Sequence, residues 1–589
     1  MNNSEAATFA AFASAPPPAG IVVSITANLS VGTLIFNAGA TVPITITSSG
    51  PTLQIGSTAG STDALTLDPA AKDVTINLPT TSRLIVGGND IKNLNAGSGR
   101  ILSINAPLSG STANRQPRKT GSGTLVLGAN ATVPPPSGNV LAAFQMLDGH
   151  LVFDCSGTIS GAATTLNFNG GTIGAVGTAR MINNNYAITG NMNYNGSEPL
   201  SLTGSGSLTA DRTISVHSVT AALNIATLAG SGFGLTKDGP GTLRLSAANT
   251  YTAFTSIHAG TLNAGDSASL GGTVFVGNGA TPGVSAALDL GRPTGGQTVP
   301  NTISINPGDG TNRTLSGLNT SGTNTFSGPI QMDGSFGENR SVRVNATSAT
   351  GTLSFTNVIS GPGQHLTKIG PGPVVFSGNN TYSGTTTIEA GTLYLNGNHA
   401  GAGTYTVKSG GTLAGIGSTS ASVTVENGGT LAPGNSIGDL SVAALNLHAG
   451  ARYQMEVDAS TGSEDADTAI VTSGNVTLGA GGNFPTLEFV FTPAFIESFG
   501  TPPAGKTFLI VNNTGSGIVT PGSQFAGAPD DTPVIDGLLH YTIDYNFVGT
   551  ALNGTASGGN DIAVTFHAVP EPSAALLLAG VVGLLRRRR

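Results

Sequence analysis

Two stretches of this chain are copies of one another, and a chain that repeats a unit of this size is constrained to stack it or to string it out. "GFGLTKDGPGTLRLSAANTYTAFTSIHAGTL", Gly232 to Leu262, aligns without a gap with "GQHLTKIGPGPVVFSGNNTYSGTTTIEAGTL", Gly363 to Leu393. Leu235, Thr236 and Lys237 match Leu366, Thr367 and Lys368, and Asn249, Thr250 and Tyr251 match Asn380, Thr381 and Tyr382. Ala259, Gly260, Thr261 and Leu262 likewise match Ala390, Gly391, Thr392 and Leu393. A partial third copy, "RKTGSGTLVLGAN", holds Lys119, Gly121, Gly123, Thr124, Leu125 and Leu127 at the spacing of their counterparts in the Gly232 copy.

Within a copy the pattern is strand, turn, strand. Thr242 to Ser246 alternates with period two, which sends Leu243 and Leu245 to one face and the polar residues to the other. Gly-Thr-Leu occurs eight times, starting at Gly32, Gly123, Gly241, Gly260, Gly351, Gly391, Gly411 and Gly429. Glycine allows the bend, threonine favours extended backbone and leucine begins an inward row. Only 9% of residues are charged and 86 are Gly, which is poor material for surface helices, while 38% are hydrophobic, which is too many for a disordered chain. The pattern therefore predicts an all-β chain, built as a parallel β-solenoid in which each rung supplies its neighbour's missing hydrogen bonds and apolar cover. At about 20 residues per rung and about 4.8 Å between rungs, about 400 residues would make a rod on the order of 100 Å long. Antiparallel sandwiches would also give short strands and Gly-rich turns, but the Gly-Thr-Leu recurrence is more regular than any hairpin signal here.

The copies resemble the autotransporter-associated β-strand repeat over Leu235 to Leu262 and Leu366 to Leu395, and more weakly near Lys119. Val425 to Asp458 resembles the segment after the last such repeats. The resemblance implies a right-handed parallel β-helix on an exported bacterial surface protein, with adhesion or display as its work. Residues 480 to 568 are too few for the membrane barrel with which such passengers export themselves.

The two ends read differently. Residues 1–20 form a leader-like segment that lacks Lys and Arg, which leads us to expect that the true start lies upstream. Residues 21–440 hold the solenoid. From 441 to 568 the strands are longer and more aromatic, and we expect a small β cap over the last rung. Residues 569–589, "VPEPSAALLLAGVVGLLRRRR", are a separate device. Pro570 and Pro572 stiffen the chain around Glu571. Ala574 to Leu585, with Leu576, Leu577, Leu578, Val581, Val582, Leu584 and Leu585, makes a helix of about 18 Å against a hydrocarbon core of about 30 Å. Arg586, Arg587, Arg588 and Arg589 would stay on the cytoplasmic side.

This order of parts resembles the PEP-CTERM sorting signal. The resemblance implies recognition of Pro570, Glu571 and Pro572 by an exosortase-type membrane enzyme. A short C-terminal apolar helix would insert transiently in the inner membrane with the arginines as its stop, and delivery would be to the cell surface or extracellular matrix.

Other chemistry is thinly supported. Without the tail's four Arg and one Glu the body keeps 19 basic against 30 acidic residues, which excludes nucleic acid as a natural partner. Cys155 stands alone, so neither a disulfide framework nor a multi-cysteine metal site is available, and it reads as a small buried residue. His217, His258, His365 and His448 are isolated, without zinc-ligand spacing. Asp309 with Arg313, and Asp530 and Asp531 with Asp536, read as turn residues. Glu456, Asp458, Glu464, Asp465 and Asp467 read as a solvated loop without calcium-site spacing.

Lys237 and Lys368 read as decoration of a rung corner. No metal, no cofactor and no catalytic residue is expected. The expected role is a non-enzymatic rod in contact with extracellular polysaccharide or a neighbouring cell surface. A secreted β-helix polysaccharide lyase or hydrolase, or a glycan-binding protein, is the alternative.

Overall fold

The structure is a computed structural model that describes residues 7–9, 20–38, 42–56, 63–87, 92–111, 115–134, 140–277, 284–306, 313–332, 341–460, 463–479, 482–491, 506–536, 539–551, 553–555 and 560–567. The tail, with its sorting motif Pro570 to Pro572, its apolar run and its arginines, lies outside the described residues. Among those residues no helix is long and apolar enough to cross a membrane. The chain divides into two compact units, Met1–Arg292 with Asn301–Thr311, and Pro293–Pro300 with Asn312–Arg589.

The first unit is a parallel β-helix. Leu102 pairs with Val74 on one side and Leu125 on the other; Leu125 pairs with Leu151, and Leu151 with Ile173, all of them buried. Every strand pairing within this unit is parallel among the described residues, including the short Ala7–Phe9 strand against Leu34–Phe36. The rungs are uneven: the step from Ile257 to its partner Val276 takes far less chain than the step from Leu34 to its partner Leu65. Corner loops absorb the difference and leave the inward rows aligned.

The leucine and threonine of Gly-Thr-Leu do what their chemistry suggests, whereas of the eight glycines only Gly260 and Gly391 have a positive φ. All eight leucines (Leu34, Leu125, Leu243, Leu262, Leu353, Leu393, Leu413 and Leu431) are buried, and every threonine except Thr430 is half-buried on the outer side. Each matched repeat also stacks on itself. In the Gly232 copy, Leu235–Asp238 pairs with the Phe254–Ile257 strand, and Thr242–Leu245 with Gly260–Ala264, so Leu243 meets Leu262. One copy thus holds two successive corners, one above the other.

The second unit continues the same logic. Val374, Leu393, Leu413, Leu431, Tyr453 and Leu487 follow one another in parallel register. Phe326, Phe355 and Phe376 line up beside them, the first two rings stacked at 5.3 Å between centroids and the second pair edge to face at 5.4 Å. Parallel pairing runs on past residue 441, where the strands become longer and more aromatic. Ala444–Leu447 pairs with Val476–Leu478, and Thr468–Val471 with Lys506–Asn513. An antiparallel hairpin, Arg452–Ser460 with Ser463–Ala466, projects from this run, and beyond Lys506–Asn513 the sheet itself turns antiparallel. Asp561–Phe566 runs antiparallel to Lys506–Asn513, and Leu539–Phe547 runs antiparallel to Asp561–Phe566. Phe489, Phe508 and Tyr541 pack there around Phe566, and the long apolar strands make an end layer rather than another rung.

Candidate functional site

The repeat lysines are the first departure from expectation. Lys237 and Lys368 do not decorate the outside of a corner; like Lys119 they are fully buried. Each stands in an inward row of aliphatic residues: Lys237 between Ile214 and Ile257, Lys368 between Val344 and Ile388, Lys119 between Leu94 and Met146. The stem packs as an aliphatic residue would, and the ammonium reaches the corner. Lys237 Nζ donates to the carbonyls of Asp238, Gly239 and Ala259 at 2.8, 2.7 and 2.9 Å. Lys368 Nζ donates to Ile369, Gly370 and Ala390, and Lys119 Nζ to Thr120, Gly121 and Asp148.

Two acceptors in each set belong to the lysine's own rung and the third to the next. The lysine is a staple between rungs, placed where strand pairing lapses and carbonyls would otherwise be orphaned. Burial lowers Lys237 to about 7 and Lys119 and Lys368 to about 8. The carbonyl cradle opposes that shift, because a neutral amine has only two N–H groups for three acceptors. The signal was present in the sequence: Lys237 shares its strand parity with Leu235, and Lys368 with Leu366.

A second buried polar set follows the Gly363 copy. His399 lies between Tyr382 and Tyr405, its ring centroid 4.2 Å from that of Tyr382 in a stacked arrangement. Its Nε2 donates to the Tyr382 carbonyl at 2.8 Å, which leaves Nδ1 to accept the Tyr405 hydroxyl at 2.7 Å. Burial holds the imidazole below its ordinary value. Tyr382 also bonds Thr386 at 2.6 Å, as Tyr251 bonds Thr255 at 2.9 Å in the other copy. Nothing periodic in the sequence marks His399, and it was not among the histidines considered above. Of those, His217 and His448 are exposed and His258 and His365 are half-buried.

The outer face of the second unit carries a groove of about 240 Å³. On three successive strands Tyr394 pairs with Ala414 and Ala414 with Ala432, so a ring stands at one end of a floor of two methyl groups. Gln454 and Glu456 line it from the next strand, and Pro433 at the end of the strand Thr430–Pro433 and the following Gly434 to Ser436 line it as well. Asp467 fixes the chain after Ser436. It is 3% exposed, one carboxyl oxygen accepting the Gly438 N–H at 3.0 Å and the other the Glu456 N–H at 2.9 Å.

The expected solvated acidic loop is therefore corrected: Glu456 and Asp458 lie on the strand Arg452–Ser460, Glu464 and Asp465 on Ser463–Ala466, which pairs antiparallel with it, and Asp467 packs inside while Asp465 stays exposed. Burial pushes Asp467 up to about 8, against the pull of the two N–H donors. A folded-state value above the unfolded one stabilises fully below the unfolded value, and that stability is lost as pH rises through the folded value. The thermal midpoint of the second unit is thus expected to fall as pH rises from about 4 to about 8, and Asp467→Asn to flatten that slope. Equal slopes in the two proteins would refute the assignment.

The remaining candidates give no catalytic geometry. Asp309 lies outside the described residues, and Arg313 is buried in a strand. Of the expected turn residues Asp531 sits in a turn with φ 50°, whereas Asp530 forms a parallel bridge with Ile543; both converge with Asp544, their oxygens within 4.8 Å of one another. Asp530 accepts the N–H of Tyr545, fifteen residues on in the strand Leu539–Phe547, and Asp544 accepts the Asn546 N–H two residues on, so both carboxylates are engaged in holding backbone. Asp536 is not part of that group and ends the strand Val534–Asp536. Cys155 is buried and burial pushes its thiol up to about 12, so it offers no thiolate at neutral pH.

Residues 118–132, 235–264 and 366–395 match the family model of the Passenger-associated-transport-repeat. The chain carries that repeat, and each matched segment contains one of the three stapling lysines. A curated relative, the adhesin BmaC autotransporter of Brucella suis biovar 1 (strain 1330), is 28% identical over 265 residues, 43% of this chain. The match spans 6% of that adhesin's length. Among solved structures, the Haemophilus influenzae Hap adhesin aligns over 91% of this chain and 64% of its own at 12% identity, with a TM-score of 0.23.

Proposed function

We propose that this chain is an exported, non-enzymatic surface or extracellular-matrix protein that works in adhesion. The observation that carries the reading is the transport repeat itself, three copies that each hold a buried lysine staple, in a chain with a partial match to an autotransporter adhesin. Its polar Thr, Asn and Ser faces are presented outward by an inward-facing aliphatic core, which suits a surface of many weak contacts to polysaccharide or to a neighbouring cell. The second half of the reading rests on residues 569–589. Pro570, Glu571 and Pro572 address the chain to an exosortase-type enzyme, Ala574 to Leu585 inserts transiently in the inner membrane, and Arg586 to Arg589 stop transfer. The apolar run from Ala574 to Leu585 is short for a permanent anchor, which fits insertion followed by processing.

Fractionation of cells expressing the full-length gene, with and without Pro570 to Arg589, tests the sorting. The intact protein is expected at the cell surface or in the matrix, and the truncated one in an earlier compartment or lost to the medium. If both remain cytoplasmic, export and sorting are refuted together; if both reach the surface equally, only the role of the tail is.

A further inference from the structure

The groove on the second unit has the chemistry of a sugar site, and we infer that it binds one neutral hexose ring of a polysaccharide. This deepens the adhesion reading and rests on it only for its biological use. Three features converge. Tyr394 offers an aromatic face at the rim, and the paired Ala414 and Ala432 leave a flat floor below it. The apolar face of a pyranose packs against such a ring, the contact being dispersion over C–H groups.

Gln454 and Glu456 stand on the strand beyond that floor, and Thr412 lines the groove as well. An amide that both donates and accepts, a carboxylate that only accepts and a hydroxyl are the set that vicinal hydroxyls satisfy. The chain after Ser436 is tied to the strand that carries Glu456, because Asp467 accepts both the Gly438 and the Glu456 N–H. The volume of about 240 Å³ lies below that of drug-sized pockets, roughly 300–1,000 Å³, and suits a single ring with its chain running out of the open side.

Charge selects among sugars. Among the described residues Glu456 and the buried Asp467 line the cavity and no Lys or Arg does, so a uronate would bring its carboxylate against other carboxyl groups with no cation to compensate. Neutral or N-acetylated hexoses are accepted and uronates refused. The amide of an N-acetyl group would find Gln454 as its partner.

The test uses the purified full chain and saturation-transfer NMR with glucose, N-acetylglucosamine and glucuronate as probes. Saturable binding of glucose or N-acetylglucosamine is expected, with at least tenfold weaker or absent binding of glucuronate. Tyr394→Ala and Gln454→Ala should each weaken binding tenfold or more while leaving the thermal midpoint in place, since both side chains face outward. Tyr394→Phe, which keeps the ring, should retain binding. No saturable binding of either neutral sugar, glucuronate binding as strongly, or binding untouched by both alanine substitutions each overturns the inference. Because the readout is on purified protein, it is independent of where the cell sends the chain.

Discussion

Lys237→Met is expected to destabilise the first unit by about 2–4 kcal/mol. Methionine keeps the aliphatic stem that packs between Ile214 and Ile257, so the loss isolates the ammonium. Three carbonyls, two on one corner and one on the next, lose their donor. A buried polar group left unsatisfied costs about 1–3 kcal/mol, and corner carbonyls that water can reach fall at the low end of that range. Lys368→Met should behave in the same way in the second unit.

The control is Lys408→Met. Lys408 is half exposed and faces Glu389 at 3.5 Å, an exposed pair expected to contribute less than about 1 kcal/mol. Urea unfolding followed by circular dichroism reads the midpoints. Hydrogen exchange at amides around Gly239 and Ala259 reads whether the loss is local to the stapled corners, as expected where each rung depends chiefly on its neighbours. Midpoint losses no larger for Lys237 and Lys368 than for Lys408 would sink the staple.

The same staple shows what could be read from the sequence. Period-two alternation placed the leucines of Gly-Thr-Leu inside, and they are inside, because a strand has only two faces and the rung stack buries one of them. Alternation placed Lys237 on the Leu235 face as well, but charge argued for solvent. Three carbonyls at a corner decide in favour of burial, and those carbonyls converge only once the neighbouring rung is in place. Burial of Asp467 was hidden for a related reason: its two N–H donors come from Gly438, just before the strand Asp439–Val442, and from Glu456, which the coil brings together.

The groove was out of reach by sequence alone. Tyr394, Ala414 and Ala432 line up across rungs of unequal length, so no fixed period finds them. His399 is the extreme case, since one partner, Tyr382, stands on the preceding rung and the other, Tyr405, around the corner of its own. The reading of the tail, which lies outside the described residues, rests on sequence order alone, because its parts are contiguous.

Gly260→Ala is expected to cost about 3 kcal/mol or more, and Gly391→Ala about the same, although each adds a single methyl group. Gly260 has φ 68° and Gly391 φ 65°, a region where a side chain is strained by about 1 kcal/mol or more. The larger cost is the rung below. A Cβ on Gly260 would lie 2.5 Å from the carbonyl oxygens of both Gly239 and Gly241, and one on Gly391 would lie 2.6 Å from that of Pro371. Those atoms are backbone of the stapled corner and cannot swing aside; relief requires the two rungs to part, which stretches the bond from Lys237 to the Ala259 carbonyl. Gly232→Ala separates the two causes. It has φ 83° but nothing within 4 Å of the added carbon, so it keeps the strain without the collision and should cost about 1 kcal/mol. If urea midpoints place Gly260→Ala and Gly232→Ala together, the glycine is there only for its dihedral angle. If they separate as expected, the Gly-Thr-Leu motif at these corners is a spacing device: glycine admits the rung below, threonine faces out and leucine faces in, and the lysine of the preceding strand holds the contact closed.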